Sequence, residues 1–334
     1  MPSPFAAPLR AAPRRLLLAV SALGLLLAAC GPANGPGAAG RPDAQASGDL
    51  KVVTTFLPIT LFTRAVAGDC AEVTSLIPPG TGPHDFQSRP GDLVALRQAR
   101  VLVKNGLEME DFLDKLVASV ENAELTVIDS SRGVATITSD DGGHGDGHDH
   151  EDSHDHGHSH GPVNPHIWLD PQRAVQQVET IRDGLVEADP SCADGYRRNA
   201  EAYIAELRQL DASLASQLEP FRGKTFVAFH DFAPYFAERY GLLAEFVVDV
   251  PEVNPTPADL RRVSEIVARS DLRALLSEPQ EGTRSFNALA RDLGVRISVF
   301  DPLETGSEQD ALDPATYLRV MRRNGDELRR AFGA

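Results

Sequence analysis

The chain has 334 residues, 42% of them hydrophobic and 24% charged, which allows about two compact units with real cores. Its 48 acidic and 32 basic residues give a net charge of −16, which repels phosphate backbones and sets nucleic acid aside as a partner.

The chain opens on Arg10, Arg14 and Arg15, followed by fourteen uncharged residues at 16–29 and then Cys30. That run is shorter than the about 20 apolar residues that span a bilayer, so residues 1–29 read as a secretory signal and not as an anchor helix. Leu27-Ala28-Ala29-Cys30 resembles the bacterial lipobox, which implies cleavage before Cys30 and lipidation of that cysteine. The protein is then expected outside the cytoplasm, anchored to the cell membrane, periplasmic or at the cell surface. Cys70 and Cys192 remain, and an oxidising compartment permits them to pair. Their spacing leaves a disulfide and two separate thiols both open.

Residues 30–48 are rich in Gly, Pro, Ala, Asn and Ser without an apolar period, as suits a flexible tether. Short β-branched runs follow at 51–56, 73–78, 101–105 and 125–129, separated by helix-compatible stretches such as 59–67 and 92–99. The alternation returns with runs at 225–229, 245–250, 274–277 and 296–300. It predicts an α/β fold of two parallel-sheet, Rossmann-like lobes at 49–188 and 221–334. Between them, Ser191 follows Asp189-Pro190 as a candidate N-cap, and Tyr203, Leu207, Leu210, Leu214 and Leu218 recur at helical spacing until Pro220. Residues 189–220 are therefore expected to form one long helix whose stiffness limits hinge motion between the lobes.

One stretch matches no fold element. Residues 140–160 hold seven histidines (His144, His148, His150, His154, His156, His158 and His160), seven acids, five glycines and two serines. Without an apolar residue it has nothing to bury, and 139–162 reads as a disordered loop within the first lobe. Its dense imidazoles and carboxylates suit weak, multi-site metal capture.

The other three histidines, His84, His166 and His230, each lie where a strand or an apolar run gives way to a turn read as proline-marked. In open parallel α/β lobes, the loops at the carboxyl ends of the strands face a common crevice, so three loops can present imidazoles to one point. Neutral imidazole suits Zn²⁺ at ~2.0 to 2.1 Å, and a tetrahedral site needs a fourth ligand. Asp301, in Phe300-Asp301-Pro302 at the end of the last strand, is the candidate; the other reading of an Asp before Pro is a turn initiator.

Four segments carry a more specific likeness: Ser75-Leu76-Ile77-Pro78-Pro79-Gly80 through His84-Asp85-Phe86, Asn164-Pro165-His166-Ile167-Trp168-Leu169-Asp170-Pro171, Phe229-His230-Asp231-Phe232, and Ser277-Glu278-Pro279-Gln280. Over residues 49–334 the chain resembles the zinc-binding members of the metal-receptor family of ABC importers. The resemblance implies two α/β lobes joined by one long helix, with the metal between them and a His-rich acidic loop ahead of the second ligand. It makes His84, His166 and His230 ligands and puts Asp301 at the acidic fourth position, where water or another acid also occurs. The implied partners are a membrane permease and a cytoplasmic ATPase, with the receptor acting as a monomer. Manganese-type relatives usually carry a carboxylate where this chain has His230, and three nitrogens with one oxygen favour Zn²⁺ over Mn²⁺.

Asp85 and Asp231 follow ligand histidines and are either imidazole orienters or solvated carboxylates. Trp168 reads as lobe packing, while Glu278 either lines the cleft or meets the permease. Three alternatives to zinc delivery stand beside it: a manganese-type receptor, a surface adhesin of the same fold, and a zinc hydrolase. The last lacks a His-Glu-x-x-His motif and a dedicated base, so no enzyme activity is expected.

Overall fold

The computed structural model describes residues 50–84, 86–138, 162–251, 254–270, 272, 274–279 and 284–333. The expected signal, the tether and the seven histidines of the acidic loop lie outside the described residues. No helix among the described residues is long and apolar enough to cross a membrane.

Eight short strands form two parallel sheets. β1 (Leu50–Thr54), β2 (Ala71–Ser75), β3 (Val101–Lys104) and β4 (Thr126–Asp129) line up in the order β2-β1-β3-β4. β5 (Thr225–His230), β6 (Leu243–Val248), β7 (Ala274–Ser277) and β8 (Arg296–Val299) repeat that order as β6-β5-β7-β8. All six pairings are parallel, with Val52 opposite both Val73 and Val101 in the first sheet. In each sheet the order reverses beside the first strand, between β1 and β3 or β5 and β7, and a crevice opens at the carboxyl ends there. The eight runs of β-branched and apolar residues become these strands, with end points that move by no more than three residues.

Helices fill the crossovers. In the first half these are α1 (Leu57–Ala67), α2 (Pro90–Gln98) and α3 (Asp111–Val120). The second half has α6 (Pro234–Tyr240), α7 (Pro257–Arg269) and α8 (Arg284–Leu293), then α9 (Glu308–Leu312) and α10 (Ala315–Ala331). Proline at the first turn starts α1, α2, α6 and α7, where its missing N–H leaves no bond unmade. Thr256 and Asp259 close a reciprocal capping box on α7.

Two helices join the halves: α4 (Pro171–Ala188) and α5 (Ala193–Leu218). The 26 residues of α5 correspond to ~39 Å at ~1.5 Å per residue. Its buried stripe contains Tyr196, Ala200, Tyr203, Ile204, Leu207, Leu210, Leu214 and Leu218, which includes every residue of the predicted period. Each fully buried leucine there contributes roughly 1.5 to 3 kcal/mol by leaving water. The stripe packs on α1, α4 and α10, so chain segments from both halves share one core.

The start of that helix differs from the expectation. Asp189, and not Ser191, supplies the capping carboxylate: it accepts the Ser191 N–H at the head of a short 3₁₀ turn, Pro190–Cys192, and α5 begins only at Ala193. The Asp-Pro pair makes the tight turn first, because an Asp side chain reaches the N–H two residues on. Cys192 closes this turn and is disulfide-bonded to Cys70, which ends the turn after α1.

Candidate metal centre

The carboxyl ends of the strands bring four side chains together. His230 is the last residue of β5, His84 lies in the loop after β2, His166 lies between β4 and α4, and Glu304 follows β8. One ligand atom from each lies within 4.8 Å of the ligand atoms of all the others. His166 Nε2 is 3.0 Å from Glu304 Oε1, and the Nε2 atoms of His84 and His230 are each 3.3 Å from that oxygen. The Nε2 atoms of His166 and His230 are 3.4 Å apart. A tetrahedron with bonds of ~2.0 to 2.1 Å has edges of ~3.3 to 3.4 Å, so these separations fit one Zn²⁺-sized cation held by three nitrogens and an oxygen. His166 and His230 are fully buried and Glu304 is 1% exposed, while His84 keeps 10% of its side chain open to solvent.

The loops that carry these groups are pinned across the two halves. The Gly306 N–H donates to the Pro79 carbonyl at 2.7 Å, tying the Glu304 loop to the His84 loop. A Cβ on Gly306 would sit 2.8 Å from Leu57 Cδ2, so a larger residue there would have to displace that side chain. Trp168 is fully buried edge-on to Phe56 and donates from Nε1 to the Pro302 carbonyl at 2.8 Å. Its packing role thus includes holding the turn that leads to Glu304.

Burial and charge act against each other in the cluster. Burial pulls the His166 pKa down to about 3. It acts in the same direction on His230, but the charges of Glu278 and Glu304 outweigh it and hold that imidazole well above its ordinary value. The Glu304 carboxyl is pushed up by burial, yet the charges of His230 and His84 and the hydrogen bonds from His166 and His230 win and keep it well below the carboxylate range. Such mutual dependence between buried acids and imidazoles is what a cation in their midst would replace.

Residues 52–331 match the family model ZnuA, zinc-uptake complex component A, periplasmic. The chain belongs to the ZnuA family. It is 31% identical over 281 residues to the zinc-binding lipoprotein AdcA of Streptococcus pneumoniae strain R6, covering 84% of this chain and 55% of AdcA, so it spans about half the length of that relative. To the high-affinity zinc uptake system protein ZnuA of Bacillus subtilis strain 168 it is 30% identical over 315 residues, covering 94% of this chain and 96% of that protein. The crystal structure of the Zn(II)-bound ZnuA-like domain of Streptococcus pneumoniae AdcA superposes with a TM-score of 0.70 at 29% identity, covering 86% of this chain and all of that domain.

Within this ZnuA-family chain, the structure gathers His84, His166 and His230 and corrects the acid beside them. Asp301 does not join the cluster. Its Oδ1 accepts the Leu303 N–H at 2.9 Å and its Oδ2 accepts from Arg323 Nη2 at 2.8 Å, while its backbone pairs with the Asn324 side chain of α10. It is the turn-initiating aspartate, and Glu304 three residues on reaches the histidines. Leu303, with φ at 64°, turns the chain in the left-handed region just before Glu304. The one sequence signal for Glu304 was its place in the same strand-end loop, which it shares with Asp301.

The sequence leaves the roles of Asp231 and Glu278 open, and their side-chain partners differ. Asp231 accepts from the Asn164 side chain and not from an imidazole, and burial raises its pKa to about 6. Asp85 lies outside the described residues. Glu278 is the carboxylate that fixes His230: its Oε1 accepts the His230 backbone N–H at 3.1 Å, and both its oxygens lie 2.8 Å from His230 Nδ1. A carboxylate there makes Nδ1 the hydrogen-bearing nitrogen and turns Nε2 toward the cluster.

Proposed function

We propose that the protein is an extracytoplasmic receptor that captures Zn²⁺ between its two lobes and delivers it to an ABC permease driven by a cytoplasmic ATPase. The observation that carries this reading is the buried set of three imidazoles and one carboxylate at tetrahedral spacing. His84, His166, His230 and Glu304 hold the ion. Zinc is cargo here, and the protein's own chemistry is to strip its water, bind it and let it go. Oxygen-rich sets suit Mn²⁺ and this nitrogen-rich one suits Zn²⁺, which supports zinc as the transported metal. Residues 1–29 serve export, Cys30 carries the lipid, and residues 30–48 tether the body to the membrane. Residues 49–188 and 221–334 are the lobes, and 189–220 is the segment between them that carries α5.

Metal titration of the mature chain tests this, with one tight zinc equivalent expected for the wild type and its loss in His166→Ala. Coordination requires neutral imidazoles, so the affinity should fall as pH drops through the histidine range near ~6.5. His230, held above its ordinary value by Glu278 and Glu304, brings proton competition in from a higher pH than the free side chain would. A tight-site affinity that stays flat from pH 8 to 5 sinks the histidine site.

The seven histidines at 144–160 are proposed as a low-affinity store that raises the local zinc concentration near His166. Thr138 and Val163, on either side of this stretch, pair in an isolated antiparallel bridge, and Val163 is three residues from His166 in the chain. Deleting residues 140–160 should leave the tight equivalent in place and remove several weak ones in calorimetry. Loss of the tight equivalent would move the primary ligands into the loop.

A further inference from the structure

Asn164 is fully buried two residues before His166. Its Oδ1 accepts the His166 backbone N–H at 3.1 Å and lies 2.9 Å from His166 Nδ1. Its Nδ2 donates to the Asp231 carbonyl at 2.8 Å and to Asp231 Oδ2 at 3.0 Å, in the turn directly after His230. One short side chain therefore bonds to both loops that carry the fully buried imidazoles, across the boundary between the lobes.

The two backbone partners remove any ambiguity about which end of the amide is which. A backbone N–H only donates and a backbone carbonyl only accepts, so Oδ1 faces His166 and Nδ2 faces Asp231. Oδ1 can then bond to the ring only if Nδ1 carries the hydrogen, which leaves the lone pair of a neutral His166 on Nε2. The support beneath the amide is rigid as well. Tyr235 donates its hydroxyl to the Asn164 carbonyl at 2.6 Å, and Asn105 Nδ2 donates to the Pro165 carbonyl at 3.0 Å.

We propose that Asn164 is a positioning residue that couples the two halves of the metal site, setting the His166 ring from one end of its amide and holding the His230–Asp231 turn from the other. Its metal readout rests on the zinc reading above. Neither neighbouring chemistry would serve. Alanine leaves the His166 N–H groups and the Asp231 carbonyl without their partner in a buried place, while aspartate keeps the acceptor but sets a carboxylate against Asp231.

The test is zinc affinity by chelator competition on the mature chain for the wild type, N164A, N164D, D231N and the N164D/D231N pair, with thermal unfolding of each zinc-free protein. Outer-shell orienters cost 10- to 100-fold in metal affinity when changed, and that loss is expected in N164A and N164D. In the pair, the amide introduced by D231N can donate to the carboxylate introduced by N164D, so the two substitutions should be non-additive and the pair should bind several-fold more tightly than N164D alone. Affinities within threefold of the wild type in both single variants overturn the proposal, as do strictly additive losses. The ¹⁵N shifts of His166 in the zinc-free chain supply a readout that needs no metal. They should report hydrogen on Nδ1 in the wild type and a changed tautomer balance in N164D or N164A, and unchanged shifts overturn the proposal. A wild-type chain that takes up no zinc would sink the functional reading instead, and the same titration shows it before any variant is compared.

Discussion

Glu304→Gln should lower zinc affinity by more than about 100-fold, beyond the range of outer-shell changes, while Asp301→Asn should leave it within a few-fold. Glu304 brings an anion to a place where its Oε1 lies 3.0 to 3.3 Å from three imidazole nitrogens. Glutamine keeps the volume and an oxygen but loses the charge, and in a buried site the charge is what offsets the cation's lost hydration. Asp301 instead bonds to the Leu303 N–H and to Arg323, a guanidinium whose side chain is 58% exposed. Solvent screening of that partner limits the pair to roughly 1 kcal/mol, so D301N should act on stability and barely on the metal. Competition titration beside thermal unfolding reads both. The opposite pattern, tight binding in E304Q and none in D301N, would return the fourth position to Asp301.

Removing the Cys70–Cys192 bond should destabilise the zinc-free protein by about 2 to 5 kcal/mol and leave zinc affinity within a few-fold. The bond closes a loop with a sequence separation of 122, and a longer loop gives a cross-link more unfolded-state entropy to remove. It joins the turn after α1 to the turn before α5, and Ala71 directly after Cys70 begins β2. The cross-link therefore sits at the amino end of the first sheet, whereas the metal cluster sits at the carboxyl ends. Denaturant unfolding of the double serine variant, with and without zinc, measures the effect. A variant equally stable but unable to bind zinc would place the bond in the site's support and not in the fold's.

These two results touch the points at which chain order and spatial order diverge. Whether Asp301 or Glu304 meets the histidines depends on a left-handed turn at Leu303 and on Arg323 and Asn324 arriving from α10. Two acids three residues apart in one loop carry no periodic signal to separate them. Asp231 adjoins His230 and from the sequence is either an imidazole orienter or a solvated carboxylate, yet the ring is held by Glu278, 48 residues further along the chain. Asn164 stands in a quoted segment beside His166, but nothing in that segment shows its other bond, to a loop 67 residues away.

The residue order by itself determined the two rounds of strand and helix, the leucine stripe of α5 and the three strand-end histidines, because alternation, helical period and turn chemistry act between near neighbours. Tertiary structure alone decided the fourth donor, the partners that orient His166 and His230, and the pairing of Cys70 with Cys192. Those choices depend on angles and separations of a few ångströms between groups far apart in the chain, and only the packing of α1 and α4 on the first sheet, of α6 and α10 on the second, and of α5 among these helices sets such distances.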